Sequence, residues 1–184
     1  MRTKTHLKTS LVMSVFLVGM ASAIAAGGTI YVDADASPGG DGASWGTAYK
    51  YLQDALAAAV DGNDIWVAEG TYKPGPSRSH SFQMKNGVGI YGGFAGDEDP
   101  CSFDLADRDF TTNETILSGD IGVVGNNADN SYHVIYNQQG TTLDSSAVLD
   151  GFTITAGNAD GSYPEYYGGG MYNYGASNLS LIHI

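Results

Sequence analysis

The chain has 184 residues, 26 of them glycine, and carries 8 Lys and Arg against 20 Asp and Glu, a formal net charge of −12. That length fits one domain, and a hydrophobic share of 42% supports a buried core rather than wholesale disorder. The glycines follow no three-residue period, which excludes collagen, and so acidic a surface argues against a nucleic-acid partner.

Residues 1–10 carry Arg2, Lys4 and Lys8 and no acid, 11–20 (LVMSVFLVGM) are apolar, and 21–25 hold small residues at cleavage-site spacing. This three-part layout predicts a secretory signal peptide over 1–25, and with it a secreted or cell-surface (outer-membrane) location. The apolar run is about half the ~20 residues that a spanning helix needs, so no transmembrane helix is expected in the mature chain. Without the leader the net charge is roughly −15. The lone Cys101 permits no internal disulfide and reads as a small buried side chain.

Residues 29–33 (TIYVD) alternate as a strand does, and 33–46 form a loop rich in Asp, Gly and Ser. Thr47 can cap a helix over 51–60, in which Tyr51, Leu52, Ala55, Leu56, Ala59 and Val60 recur at helical spacing. Asp61-Gly62 then ends it. Beyond that point the helical period disappears. Apolar segments centre on Trp66, Gly89, Ile116, Val134, Thr153 and Met171, about 18–27 residues apart and separated by turn clusters such as Lys73-Pro74-Gly75-Pro76 and Gly125-Asn126-Asn127. That spacing is too long for a hairpin array and too poor in helix for βαβ units. It predicts an all-β solenoid in which each repeat is one coil stacked on the last. The open end of such a stack needs a cover, and the 51–60 helix is placed to supply it.

The runs Ile30-Tyr31-Val32-Asp33, Trp45-Gly46-Thr47-Ala48-Tyr49, Leu52-Gln53-Asp54-Ala55-Leu56 and Asp64-Ile65-Trp66-Val67-Ala68-Glu69-Gly70-Thr71-Tyr72 resemble the opening segment of right-handed parallel β-helix repeat proteins of the pectin-lyase-like superfamily, many of them bacterial surface or secreted proteins. Leu149-Asp150-Gly151-Phe152-Thr153-Ile154 and Gly168-Gly169-Gly170-Met171-Tyr172-Asn173 resemble their later coils. The resemblance covers 29–178 and implies a right-handed parallel β-helix with an N-terminal capping helix. The superfamily holds lyases, hydrolases, adhesins and proteins without known activity, so the fold does not fix a reaction.

The expected layout is a leader over 1–25, a strand, loop and capping helix over 29–62, and coils over 63–178. The last six residues, LSLIHI, resemble the translation of a transposon mosaic-end sequencing adapter. On that reading 179–184 are foreign, His183 belongs to no site, and the chain is an N-terminal fragment that lacks its second end cap and aggregates when made alone.

Candidate chemistry is sparse. Gly87-Val88-Gly89-Ile90-Tyr91-Gly92 fits G-x-G-x-x-G, but no helix is expected after it, so close coil packing explains the glycines better than a nucleotide. Asp33, Asp35 and Asp41, and separately Asp97, Glu98 and Asp99, form acidic loops that leave calcium open as a cofactor. The alternative for both is a solvated turn. Asp120, Asp144, Asp150 and Glu165 are available as paired carboxylates for glycoside hydrolysis, although Asp120 and Asp150 follow strands as turn residues do. A lyase wants a basic group to take a C–H proton, yet after the leader only Lys50, Lys73, Arg78, Lys85 and Arg108 remain. His80 stands alone, and His133 reads as a strand residue. Tyr163, Tyr166, Tyr167, Tyr172 and Tyr174 crowd one region, where they fit either sugar stacking or packing along the solenoid. No catalytic or cofactor-binding residue is assigned. The expectation is a non-catalytic structural, adhesive or carbohydrate-contacting surface protein whose partner is extracellular polysaccharide or cell-surface glycan. The alternative is the N-terminal part of a polysaccharide lyase or glycoside hydrolase.

Overall fold

A computed structural model describes residues 27–175 and 178–184; the leader read at 1–25 lies outside the described residues. Short alternating runs bounded by glycine, asparagine and aspartate form ten strands: β1 (Thr29–Val32), β2 (Asp64–Ala68), β3 (Gly70–Tyr72), β4 (Gly89–Phe94), β5 (Thr115–Ser118), β6 (Ile135–Asn137), β7 (Val148–Asp150), β8 (Thr153–Thr155), β9 (Met171–Asn173) and β10 (Ser180–Ile182). The one α-helix among the described residues is α1 (Leu52–Ala58). The strands make three sheets of order β1-β2-β4-β7-β10, β3-β5-β8 and β6-β9, and every pairing is parallel. Phe82 joins the third sheet through a parallel bridge to Ile135. After α1 the chain therefore visits the first, second and third sheets in turn and returns to the first, an arrangement compatible with a solenoid.

Register shows what holds the rungs together. Ile30 lies beside Ile65, Ile65 beside Ile90, Ile90 beside Leu149 and Leu149 beside Leu181. The first four are almost fully buried in the central core, and Tyr72, Leu117, Phe82 and Ile135 bring the other two sheets into the same core. Each such side chain contributes about 1.5–3 kcal/mol by leaving water. The opposite face of the first sheet carries a second, smaller core. There Trp66 stacks on Phe94 at 4.6 Å, and Tyr31, Trp45, Phe103 and Leu105 close around them. Arg108 pins the overlying segment, donating to Leu105 O at 2.7 Å, Gly92 O at 3.1 Å and the buried carboxylate of Asp150 at 2.6 Å. A β-bulge in β4 shifts its register on β2 between Trp66 and Ala68. Gly93, at φ +90°, takes up the bend, and a Cβ on Gly92 would stand 2.4 Å from Gly151 O of the next rung. The Gly87–Gly92 motif thus serves close packing inside a strand, and no helix follows it.

The first rung has α1 where later rungs have their second and third strands. Leu52, Ala55, Leu56 and Ala59 bury against the core, and Gln53 donates to Pro74 O and Ser81 O of the rung beneath. The free edge of β1 is covered as well: Tyr31 N–H donates to Gly42 O, Asp33 N–H to Tyr49 O, and Tyr49 N–H to Tyr31 O. The helix is shorter than the spacing predicts. Tyr51 and Val60 are exposed, because the chain turns at Val60–Asn63 with Gly62 at φ +87°. Thr47 lies in a separate 3₁₀ turn and does not cap α1.

Two further expectations are corrected. Cys101 is exposed, because its N–H is held by Asp99 Oδ1 in a surface turn. Of the intervals read from the sequence, the 23 residues from Trp66 to Gly89 span one full turn, from β2 to its neighbour β4, whereas the other four separate strands of different sheets. Asn137, for example, meets its rung partner Asn173 36 residues later. Residues 180–182 pair with β7 as β10; a short alternating apolar run satisfies an open parallel edge whatever its origin.

Candidate functional site

The third sheet turns Tyr136 and Tyr172 outward at one register step. Their rings are parallel, with centroids 5.3 Å apart. His133 packs 5.0 Å from Tyr136 and 5.3 Å from Tyr172, and Tyr167 continues the stack 5.4 Å from Tyr172. Tyr166 lies 4.3 Å from Tyr167, and Tyr163 shares a hydroxyl hydrogen bond with Tyr174. Tyr163, Tyr166 and Tyr167 are about half exposed. All five tyrosines singled out in the sequence therefore come together, joined by Tyr136 and His133. The signal that reveals Tyr136 is the repeat Ile135-Tyr136-Asn137 and Met171-Tyr172-Asn173, which aligns the outward tyrosines. The hydrogen bond to Tyr174 pushes Tyr163 up to about 12. Tyr166 is raised first by side-chain hydrogen bonding with Tyr167 and then by burial. Burial raises Tyr136 and Tyr172. Tyr136, Tyr163, Tyr166 and Tyr172 therefore keep their phenol protons as donors through the neutral range.

Beside the rings is a notch of about 50 Å³ lined by Arg78, His80, Tyr132, His133, Tyr136 and Glu165, among others. His133 is buried just before β6 rather than within a strand. Its Nδ1 lies 3.2 Å from Gly168 O. That carbonyl can only accept, so Nδ1 donates to it. Nε2 is buried without a partner. Arg78 is spent on Asn130 O at 2.7 Å, Asn158 O at 3.2 Å and the Asp160 carboxylate, and its guanidinium lies 4.2 Å from the Tyr132 ring centre. His80 also lines a groove of about 720 Å³ beside α1, with Lys50, Tyr51, Thr71 and Lys73 in its walls. Notch and groove thus share a wall.

The remaining sequence candidates go to structural duties. Asp120 accepts Gly125 N–H at 3.0 Å. Asp144 is held below the usual carboxylate range by the Ser146 hydroxyl and then by the Ser146 N–H. Asp150 is the buried partner of Arg108 and accepts from His183 at 2.8 Å. Of the four carboxylates only Glu165 stands at the notch. Asp33 and Asp41 accept the backbone N–H of Asp35 and Ala43. The Glu98 carboxylate takes Ala95, Gly96 and Asp97 N–H, and Asp99 takes Cys101 N–H and the Ser102 hydroxyl. Among the described residues no three His, Cys, Asp or Glu side chains gather as a metal-holding group, and no helix is long and apolar enough to cross a membrane. Compared with known proteins, the chain matches no family model, and no curated protein or solved structure matches it significantly.

Proposed function

We propose that this protein is a secreted or cell-surface right-handed parallel β-helix of the pectin-lyase-like kind, and that its tyrosine-lined third face contacts extracellular polysaccharide without cleaving it. The observation that carries this reading is the run of adjoining rings from Tyr136 through Tyr172 to Tyr167 and Tyr166. Sugar C–H faces stack on such rings while ring hydroxyls find phenol partners. The notch beside the rings is lined by Glu165, whose carboxyl oxygens can accept from a sugar hydroxyl. A larger groove that shares His80 with the notch would offer a polymer a further subsite. Parallel rungs support the β-helix reading, and the 1–25 leader pattern supports export.

The test is binding to a panel of neutral and acidic polysaccharides by affinity electrophoresis, with reducing ends and unsaturated uronates assayed in parallel. Tyr166→Ala and Tyr167→Ala are each expected to weaken binding about tenfold with no change in circular dichroism. Binding indifferent to both substitutions refutes the site. Turnover that chelation abolishes refutes the non-catalytic reading and favours a lyase.

A further inference from the structure

We propose that the connection between β5 and β6 is a calcium-binding loop, a site independent of the sugar-contact reading. Among the described residues, six buried side-chain nitrogen or oxygen atoms have no hydrogen-bond partner. Four of these are oxygens from one short stretch: Asp120 Oδ1, Asp129 Oδ1, Asn130 Oδ1 and Ser131 Oγ. Asn130 is 2% exposed and Ser131 is fully buried. The stretch is a closed loop, because Ser131 N–H donates to Gly119 O at 2.8 Å across its base.

Both carboxylates are turned into this loop and divided in the same way. Asp120 Oδ2 accepts Gly125 N–H at 3.0 Å. Asp129 Oδ2 accepts Val123 N–H at 2.9 Å and the Asn126 amide at 3.1 Å. Each acid thus holds the loop's own backbone with one oxygen and keeps the other enclosed without a donor. The carboxylate and amide oxygens can only accept, and a buried acceptor without a donor is costly unless a cation or a donor meets it. Among the described residues the guanidinium bonded to this loop, Arg78, gives its protons to the Asn130 carbonyl, to Asn158 O and to Asp160, so it does not serve these oxygens.

The donor chemistry selects the ion. Two carboxylates, an amide carbonyl and a hydroxyl are hard oxygen ligands. Calcium takes six to eight of them in tolerant geometry, with backbone carbonyls or water completing the set, whereas magnesium demands a near-ideal octahedron. The four partnerless atoms of the loop are all oxygens, a set that favours a hard cation over zinc or copper. Two acid charges balance a divalent ion.

Isothermal titration of the full chain with calcium, repeated with terbium luminescence sensitised through neighbouring Tyr132, tests the site. A dissociation constant of about 0.1–1 mM is expected, the range of extracellular modules. The thermal midpoint should rise by about 3–10 °C in roughly 10 mM calcium. Asp120→Asn and Asp129→Asn should each weaken binding at least about tenfold while leaving the midpoint in chelator unchanged or higher, since an amide N–H then meets the enclosed oxygens. Ser131→Ala should weaken it less, and Asp99→Asn not at all. Absence of heat and of any midpoint change in wild type overturns the proposal even if the variants fail to fold. So does binding that survives both Asp→Asn changes or is lost in Asp99→Asn.

Discussion

Asn137 is the place where stacking of the rungs is most directly measurable. Its side chain is 1% exposed and ties three successive turns of the chain. Asn137 Oδ1 accepts Met84 N–H at 3.0 Å, and Asn137 Nδ2 donates to Asn173 Oδ1 at 2.7 Å. Asn137→Ala leaves the Met84 N–H buried without an acceptor, a cost of about 1–3 kcal/mol, and deprives the half-buried Asn173 of its donor, about 0.5–1.5 kcal/mol more. The expected destabilisation is about 2–4 kcal/mol, or a midpoint lower by roughly 5–15 °C for a chain of this length. Asn173→Ala keeps the Met84 bond and should cost about 1–2 kcal/mol. Urea unfolding followed by Trp45 and Trp66 fluorescence reads both variants and their combination. Because the two share one bond, the double variant should cost less than the sum by about 0.5–1.5 kcal/mol. If Asn137→Ala stays within about 0.5 kcal/mol of wild type, or the two losses simply add, the ladder does not join the rungs and the reasoning fails.

Leu56→Ala removes a buried anchor of α1 and should cost about 2–5 kcal/mol in the same urea assay, against less than about 0.5 kcal/mol for the exposed Asp54→Ala on the same helix. Raising the pH should weaken the tyrosine surface. Tyr163 titrates near 12 in the folded protein and at 10.0 ordinarily, so its stabilising share is intact below about pH 10 and is lost as the pH climbs through the folded value. Absorbance titration near 295 nm should show several late phenols, buried Tyr72 among them, one of which moves to lower pH in Tyr174→Phe.

Much of the fold could be read in the sequence, because inward and outward positions alternate with a period of two wherever a strand packs on the core. The 29–33 strand, the helix face of Leu52, Ala55, Leu56 and Ala59, and the apolar segments at Trp66, Gly89 and Ile116 all fall on observed elements. The rung length could not be read by spacing alone. The connections differ too much in length: a single residue, Glu69, lies between β2 and β3, whereas a long segment covering the second core lies between β4 and β5. Alignment of Ile135-Tyr136-Asn137 with Met171-Tyr172-Asn173 does carry the true register, since each tripeptide repeats an inward residue, an outward ring and an inward amide. Cys101 misled because burial statistics for cysteine say nothing about an Asp99 turn that holds the residue at the surface.

The variable connections also account for where chemistry collects. In three successive rungs the corner between the second and third sheets is the one that carries Arg78, then 119–131, then 156–170. These corners are bonded to one another: Tyr132 N–H donates to Arg78 O and Asn158 N–H to Ser131 O, Asn158 Nδ2 donates to Asn127 O, and Arg78 reaches both neighbouring corners. Inward ladder positions are constrained from above and below, so a polar or bulky change there disturbs several rungs at once. A corner faces solvent on one side and can lengthen at little entropic cost. The tyrosines of 163–167, the His133 notch and the enclosed oxygens of Asp120, Asp129, Asn130 and Ser131 therefore share one edge of the molecule. An ion that stiffens the middle corner would also steady its neighbours, so calcium should sharpen binding at the tyrosine face even though it touches none of those rings.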